Sequence, residues 1–195
     1  LTGTARQRLL LGNWDYDSDD DALISSEKIF DLYQNRHIKP TGEKFISCDV
    51  GRFGRDKSTI FIWDGFVVIG LVILEKKGTD EVANTIIRMQ SIYQISNSNV
   101  VIDDDGVGGG VVDQIPGCAR FVNNSSPLPN KENPSMKENF DNLKSQCYYA
   151  LADKTNKGGI FINFDLDNVF GVQGKSVRQL LNEELEQVRQ KEVDS

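Results

Sequence analysis

The order of apolar runs in this chain predicts an α/β domain with a mixed central sheet and flanking helices. Three observations carry that prediction. Short β-branched and aromatic runs at Phe45 to Val50, Ser58 to Asp64 and Phe66 to Glu75 follow one another with turn residues between them. A stretch of helical periodicity, Thr79 to Gln94, comes next. A further apolar strand, Asn99-Val-Val-Ile102, and a second helix-forming stretch then complete the strand, helix, strand alternation of α/β proteins.

Composition sets the bounds. The chain has 195 residues, of which 38% are hydrophobic, and a domain near that size buries about 70% of its unfolded surface. No apolar run approaches the 18 residues of a membrane span, so a soluble globular protein is expected. Cys48, Cys118 and Cys147 are odd in number and lack CxxC spacing, which argues for reduced thiols in a cytosolic protein. The start, Leu1 to Arg8, has no signal-peptide pattern and reads as a cut inside a longer chain. The net charge of -7 lowers the expectation of tight, independent DNA binding, because Lys and Arg supply most non-specific affinity for phosphate. Carboxylates gathered to hold divalent ions are compatible with that charge, since the ions invert the local electrostatics.

Residues 1–40 read as a lead-in segment and 41–195 as the main domain. Within the lead-in, Arg6 to Trp14 precedes an acidic run, Asp15 to Asp21, and a short helix over Leu23 to Leu32; Pro40-Thr-Gly42 then punctuates the chain. Phe45-Ile-Ser-Cys-Asp49-Val is the first strand and Gly51 to Asp56 a turn. The two strands that follow are joined at Asp64-Gly65, a hairpin signal, which gives three antiparallel strands in a row. Val82, Ile86, Ile87, Met89 and Ile92 form the apolar stripe of the next helix, with Thr79 as its N-cap and Asp80 and Glu81 in its first turn. A helix is predicted over Val107 to Ile115, a strand at Arg120 to Asn123, and a mobile surface loop over Asn124 to Pro134. Phe140 to Lys154 reads as a helix in which one ring of Tyr148-Tyr149 faces the core. Ile160-Phe-Ile162 follows Gly158-Gly159, and Ser176 to Val193 is a charged helix striped by Val177, Leu180, Leu181, Leu185 and Val188.

The chemistry rests on two aspartates at the ends of apolar strands, Asp49 and Asp103. Carboxylates at the ends of adjacent strands converge on one point, and oxygen donors of that kind suit Mg²⁺ or Mn²⁺ while leaving room for water and a phosphate. A single Asp ending a strand before a glycine is more often a turn residue. The run Asp103-Asp104-Asp105 beside Gly106-Val-Gly-Gly-Gly110 adds weight, because neighbouring like charges repel unless solvated or bound to metal. The glycines themselves admit two compatible readings: backbone N–H groups presented to phosphate, or a tight turn from strand to helix.

Asp49-Val-Gly-Arg-Phe-Gly-Arg-Asp56-Lys-Ser resembles the first acidic motif of the nuclease domain of viral (bacteriophage) terminase large subunits, and Val100-Val-Ile-Asp103-Asp-Asp-Gly106-Val-Gly resembles the second. Arg6 to Trp14 resembles the segment joining motor and nuclease domains in that family, and Asn142 to Tyr149 with Leu151 resembles the helix after its flexible loop. The resemblance implies a ribonuclease H-like fold and a divalent-metal-dependent endodeoxyribonuclease that cuts concatemeric double-stranded DNA during genome packaging, with weak sequence preference. Asp49 and Asp103 are then catalytic metal ligands, Asp105 or Asp104 the alternative ligand, and Asp56 a supporting acid. Mg²⁺ or Mn²⁺ in a two-metal site is the implied cofactor. The implied partners are double-stranded DNA, the terminase ATPase domain, the small subunit and the portal protein, in the host cell cytoplasm. The family's third acid from a late helix has no matching motif before Ser195, so the chain is expected to stop short of it; Asp153, Asp165 and Asp194 are the fallback positions. Other readings are a different ribonuclease H-like nuclease, such as a junction resolvase or hybrid-strand hydrolase, and a non-catalytic metal-binding scaffold.

Other signals are set aside. Gly171-Val-Gln-Gly174-Lys-Ser176 has Val169 where a phosphate-binding loop needs its first glycine. His37 reads as a surface or capping residue and Trp14 and Trp63 as packing residues. Lys76, Lys77, Arg120, Lys131, Lys137 and Lys144 are scattered bases that a solvated surface explains as well as a DNA path does.

Overall fold

Hairpin geometry organises the sheet. In the computed structural model, which describes residues 22–51, 56–130, 139–164, 166 and 175–188, β1 (Lys44–Asp49) pairs antiparallel with β2 (Lys57–Asp64), and β2 pairs antiparallel with β3 (Val67–Glu75). The two-residue turn between β2 and β3 places Gly65 at its first central position with φ 58°, the left-handed conformation that hairpin turns with a leading glycine require. Ile62 pairs with Gly70 while Trp63 pairs with Val68, so β3 carries a bulge at Ile69. The three consecutive antiparallel strands predicted from sequence are present.

Helix α1 (Ser26–Asp31) lies upstream of the sheet, and helix α2 (Thr79–Tyr93) makes the crossover to β4 (Val100–Asp103), by way of a short 3₁₀ turn at Asn97–Asn99. β4 lies parallel to β1, and β5 (Ala119–Phe121) parallel to β4, giving the order β5-β4-β1-β2-β3. The intervening helix makes this parallel pairing possible, since parallel neighbours need a long connection.

Alternation along the strands decides what each face does. Ile46, Cys48, Ile60, Ile62, Val100 and Ile102 point to one side and are buried against Val82, Ala83, Ile86 and Met89 of α2 and Val111 and Val112 of α3 (Gly109–Val112). Burying each large aliphatic side chain contributes about 1.5–3 kcal/mol, so this layer is the principal source of order around β1 and β4. The opposite face carries Ser47, Asp49, Val101 and Asp103.

The chain divides into two compact units, 37–147 and the pair of segments 1–36 and 148–195, with the division falling inside α4 (Leu143–Asn156). In the second unit, Ile24 and Ile29 of the α1 region pack with Ala152, flanked by Leu23 and Leu185. Ile162 N–H of the short strand β6 (Phe161–Ile162) donates to Leu32 O at 2.8 Å. Helix α5 (Val177–Glu186) opens with a capping box between Ser176 and Gln179. The stretch 22–36, read from sequence as lead-in, thus shares a core with 148–188.

Several expectations are corrected. Gly78, not Thr79, is the N-cap of α2, and Thr79 is its first helical residue. Ile87 and Ile92, assigned to the buried stripe, are 48% and 61% exposed, because Val82, Ala83, Ile86 and Met89 already fill the side facing the sheet. The helix expected over Val107 to Ile115 has only the four residues of α3, consistent with a glycine-rich start that is costly to hold helical. Both Tyr148 and Tyr149 are exposed. Residues 124–130 form neither helix nor strand, as a loop reading requires. Arg6 to Trp14, Asp15 to Asp21, Arg52 to Arg55, Lys131 to Pro134, Lys137, Asp165, Val169, Gly171 to Gly174 and Asp194 lie outside the described residues.

Candidate metal centre at the ends of two parallel strands

Register brings the two principal acids together. Cys48 of β1 sits opposite Ile102 of β4 in a parallel pair, so the next residues, Asp49 and Asp103, leave neighbouring strands at the same level. Parallel neighbours lie about 4.8 Å apart. Because Cys48 and Ile102 both face the helical core, the period of two turns Asp49 and Asp103 to the other face together. The register thus places the two strand-end aspartates on adjacent strands and on one face of the sheet.

The electrostatics agree with that proximity. The Asp49 carboxyl is held above its ordinary value, first by desolvation from the protein packed around it, then by the negative charges of Asp103 and Asp56. Asp56 immediately precedes β2, whose Thr59 pairs with Asp49, which explains its influence. Among the described residues, neither Asp49 nor Asp103 has a Lys, Arg or His ion-pair partner. Among the described residues, the two adjacent carboxylates form a site of negative charge with no cation paired to it.

The other acids of the triplet have separate employment. Asp104 N–H donates to Phe121 O at 2.8 Å and its Oδ2 lies 2.9 Å from Arg120 Nε. That contact engages one Asp104 oxygen and gives Arg120 an acidic partner. Asp105 N–H donates to Asp103 Oδ1 at 2.9 Å, and Asp105 Oδ2 accepts from Asn123 N–H at 2.8 Å. Asp153, a fallback for a third acid, pairs with Lys157 at 2.7 Å.

The glycine run serves the turn. A Cβ on Gly108 would lie 1.7 Å from the Asp103 carbonyl oxygen, so only glycine permits the chain to fold back over the end of β4. Of the two readings of these glycines, close strand-to-helix packing is the one this contact explains.

Behind the acids, Cys48 is buried and its thiol is pushed up to about 12, by desolvation first and then by Asp49 and Asp103. The thiol stays protonated and faces away from the site. His37 is exposed, and Trp63 packs against Phe61 and donates its indole N–H to Ser47 Oγ at 3.0 Å. Lys77 is paired with Glu81.

The donor set fits a hard divalent ion. Among the described residues, no group of three His, Cys, Asp or Glu side chains forms a ready-made cage. Mg²⁺ does not ask for one: it is commonly held by one or two carboxylates and completes its shell with water and phosphate oxygens. Asp49 and Asp103 meet that requirement, with the charge of Asp56 also felt at Asp49.

No family model matches the chain, and no curated protein matches it in sequence. Comparison with solved structures finds the nuclease domain of the large terminase subunit gp2 of bacterial virus Sf6. A point mutant of that domain with manganese and beta-thujaplicinol is 20% identical, with a TM-score of 0.68 over 89% of this chain and 84% of that chain. The domain without the mutation is 19% identical, with a TM-score of 0.64 over the same shares, and the mutant with calcium is 19% identical, with a TM-score of 0.66 over 89% and 85%. The chain therefore has the fold of terminase nuclease domains, which is ribonuclease H-like.

Proposed function

We propose that this chain is a divalent-metal-dependent endonuclease acting on double-stranded DNA, with the role of a terminase nuclease domain that cuts concatemeric viral DNA during packaging. The observation that carries the reading is the placement of Asp49 and Asp103 side by side at the ends of β1 and β4, uncompensated by any cation among the described residues. The fold supports it, because the Sf6 domain of the same architecture was solved with manganese and with calcium.

Asp49 and Asp103 hold Mg²⁺ or Mn²⁺, and Asp56 supports the site from the start of β2. Ions held there in a two-metal site would supply activation of a water and stabilisation of the phosphodiester's leaving oxygen. The protein's own contribution is placement: the buried layer beneath β1 and β4 fixes the spacing of the two carboxylates, and the Gly108 turn fixes the end of β4. Assembly with an ATPase motor domain, a small subunit and a portal, in the host cytoplasm, belongs to the same reading. Among the described residues no helix is long and apolar enough to cross a membrane.

The test is cleavage of supercoiled plasmid at low salt with Mn²⁺, with Mg²⁺ and with chelator, beside branched DNA and RNA–DNA hybrid substrates. Metal-dependent cutting of duplex DNA that is lost in Asp49→Ala and Asp103→Ala supports the proposal. Preference for branched or hybrid substrates reassigns the chain to another nuclease class, and metal binding without cutting of any substrate reassigns it to a scaffold.

A further inference from the structure

We infer that Asp105 is a positioning residue for Asp103 and not itself a metal ligand, an inference that rests on the proposed metal centre. The geometry is a two-step relay. Asp105 Oδ2 accepts the Asn123 N–H at 2.8 Å, which ties the turn after β4 to the segment leaving β5. With its side chain held there, the Asp105 backbone N–H points at Asp103 Oδ1 at 2.9 Å. A backbone donor on one carboxylate oxygen restrains the rotamer of Asp103 and leaves Oδ2 without a hydrogen-bond partner among the described residues. Asp104 N–H, bonded to Phe121 O, holds the intervening residue against β5 and keeps the relay in register.

Asp105 also has no hydrogen-bonding need that conflicts with this role. Its Oδ2 is committed to a backbone donor, and the turn that it anchors continues into the Gly108 close approach on the Asp103 carbonyl. The carboxylate thus acts through geometry, by accepting a hydrogen bond, and not through its charge. Groups that orient metal ligands in this way typically alter metal affinity or activity by about 10–100-fold when removed.

Two conservative variants separate geometry from charge. Asp105→Asn keeps an oxygen at the accepting position and loses the charge; Asp105→Glu keeps the charge and displaces the oxygen. Both are compared with Asp105→Ala, Asp103→Ala and the parent by titrating Mn²⁺ against the thermal unfolding midpoint, with plasmid cleavage as the second readout. The expected result is a half-saturating Mn²⁺ concentration in Asp105→Asn within about 3-fold of the parent, and one raised about 10-fold or more in Asp105→Glu and Asp105→Ala. A purely structural role would shift the metal-free midpoint and leave the half-saturating concentration unchanged, which overturns the inference. So does an Asp105→Asn variant as impaired as Asp105→Ala, since that pattern makes the charge itself a ligand. A parent with no Mn²⁺ response, or a response that survives Asp103→Ala, instead overturns the metal centre on which the inference stands.

Discussion

Asp49 and Asp64 carry nearly the same sequence signal and have opposite fates. Each ends an apolar strand close to a glycine, and each is a plausible turn residue on that ground. Asp64, at the end of β2, is buried at 7% exposure, and its Oδ1 accepts N–H bonds from Thr41 at 2.8 Å and Gly42 at 2.7 Å. Its charge is answered by backbone donors, and it serves to fasten the entry of the chain into the sheet. Asp49 remains exposed, has no cation beside it among the described residues, and faces Asp103 across a parallel pair. An acid that the fold satisfies is structural; an acid that the fold crowds against another acid is available to bind an ion.

The contrast is broken or sharpened by substitution, beginning with the largest effect. Asp49→Ala and Asp103→Ala should each lower metal-dependent cleavage by more than about 100-fold, the upper end of what groups merely supporting a metal ligand contribute. Retention of a tenth of parent activity by either variant would remove it from the site. Gly108→Ala should be next. The added Cβ must displace the Asp103 carbonyl, at a stability cost of about 1–3 kcal/mol typical of overpacking. Its signature is reduced stabilisation by Mn²⁺ as well as a lower midpoint in chelator.

Asp64→Ala should cost about 1–3 kcal/mol by chemical denaturation, because two backbone donors lose their acceptor, while cleavage below the unfolding transition stays at the parent rate. Loss of activity without loss of stability would erase the distinction drawn between the two aspartates. The smallest effect is that of Asp49→Asn in chelator. Since the Asp49 pKa is raised in the folded state, the folded protein holds the extra proton across that window. Stability therefore falls as pH rises from the unfolded value through the folded one. Removing the charge should raise the unfolding midpoint by about 1–2 °C at pH 7, after discounting for solvent screening. The difference should vanish below the ordinary Asp value of 3.8, and should reverse sign once Mn²⁺ is added.

Legibility followed the range of the interactions involved. The strands, the crossover helix and the two strand-end acids were readable because alternation, helical period and hairpin glycine are local signals. The intervening helix pointed to a mixed sheet, but the parallel pairing of β1 with β4, which sets Asp49 beside Asp103, came only from the folded register. Asp64 was not distinguishable, because its satisfaction depends on Thr41 and Gly42, 23 and 22 residues earlier. Ile87 and Ile92 looked like core for a similar reason: a periodic stripe does not say how wide a face the sheet can cover. Arg120 appeared as one of several surface bases, and only the folded turn shows it against Asp104. The roles of Asp104 and Asp105 could not be separated from that of Asp103 by spacing, since the three are consecutive and their hydrogen-bond partners come from β5 and the residues after it.

The position of Cys48 turns the same strand into a reporter of its own opening. Its side chain is 4% exposed, one residue from Asp49 and on the opposite face of the sheet. A thiol-reactive dye therefore meets the exposed Cys147 in the native protein, while Cys48 is shielded until β1 separates from the helical layer. In a variant lacking the other two cysteines, the rate of labelling at Cys48 would time that separation, and its slowing by Mn²⁺ would give the coupling between an ion on one side of the strand and the cohesion of the other.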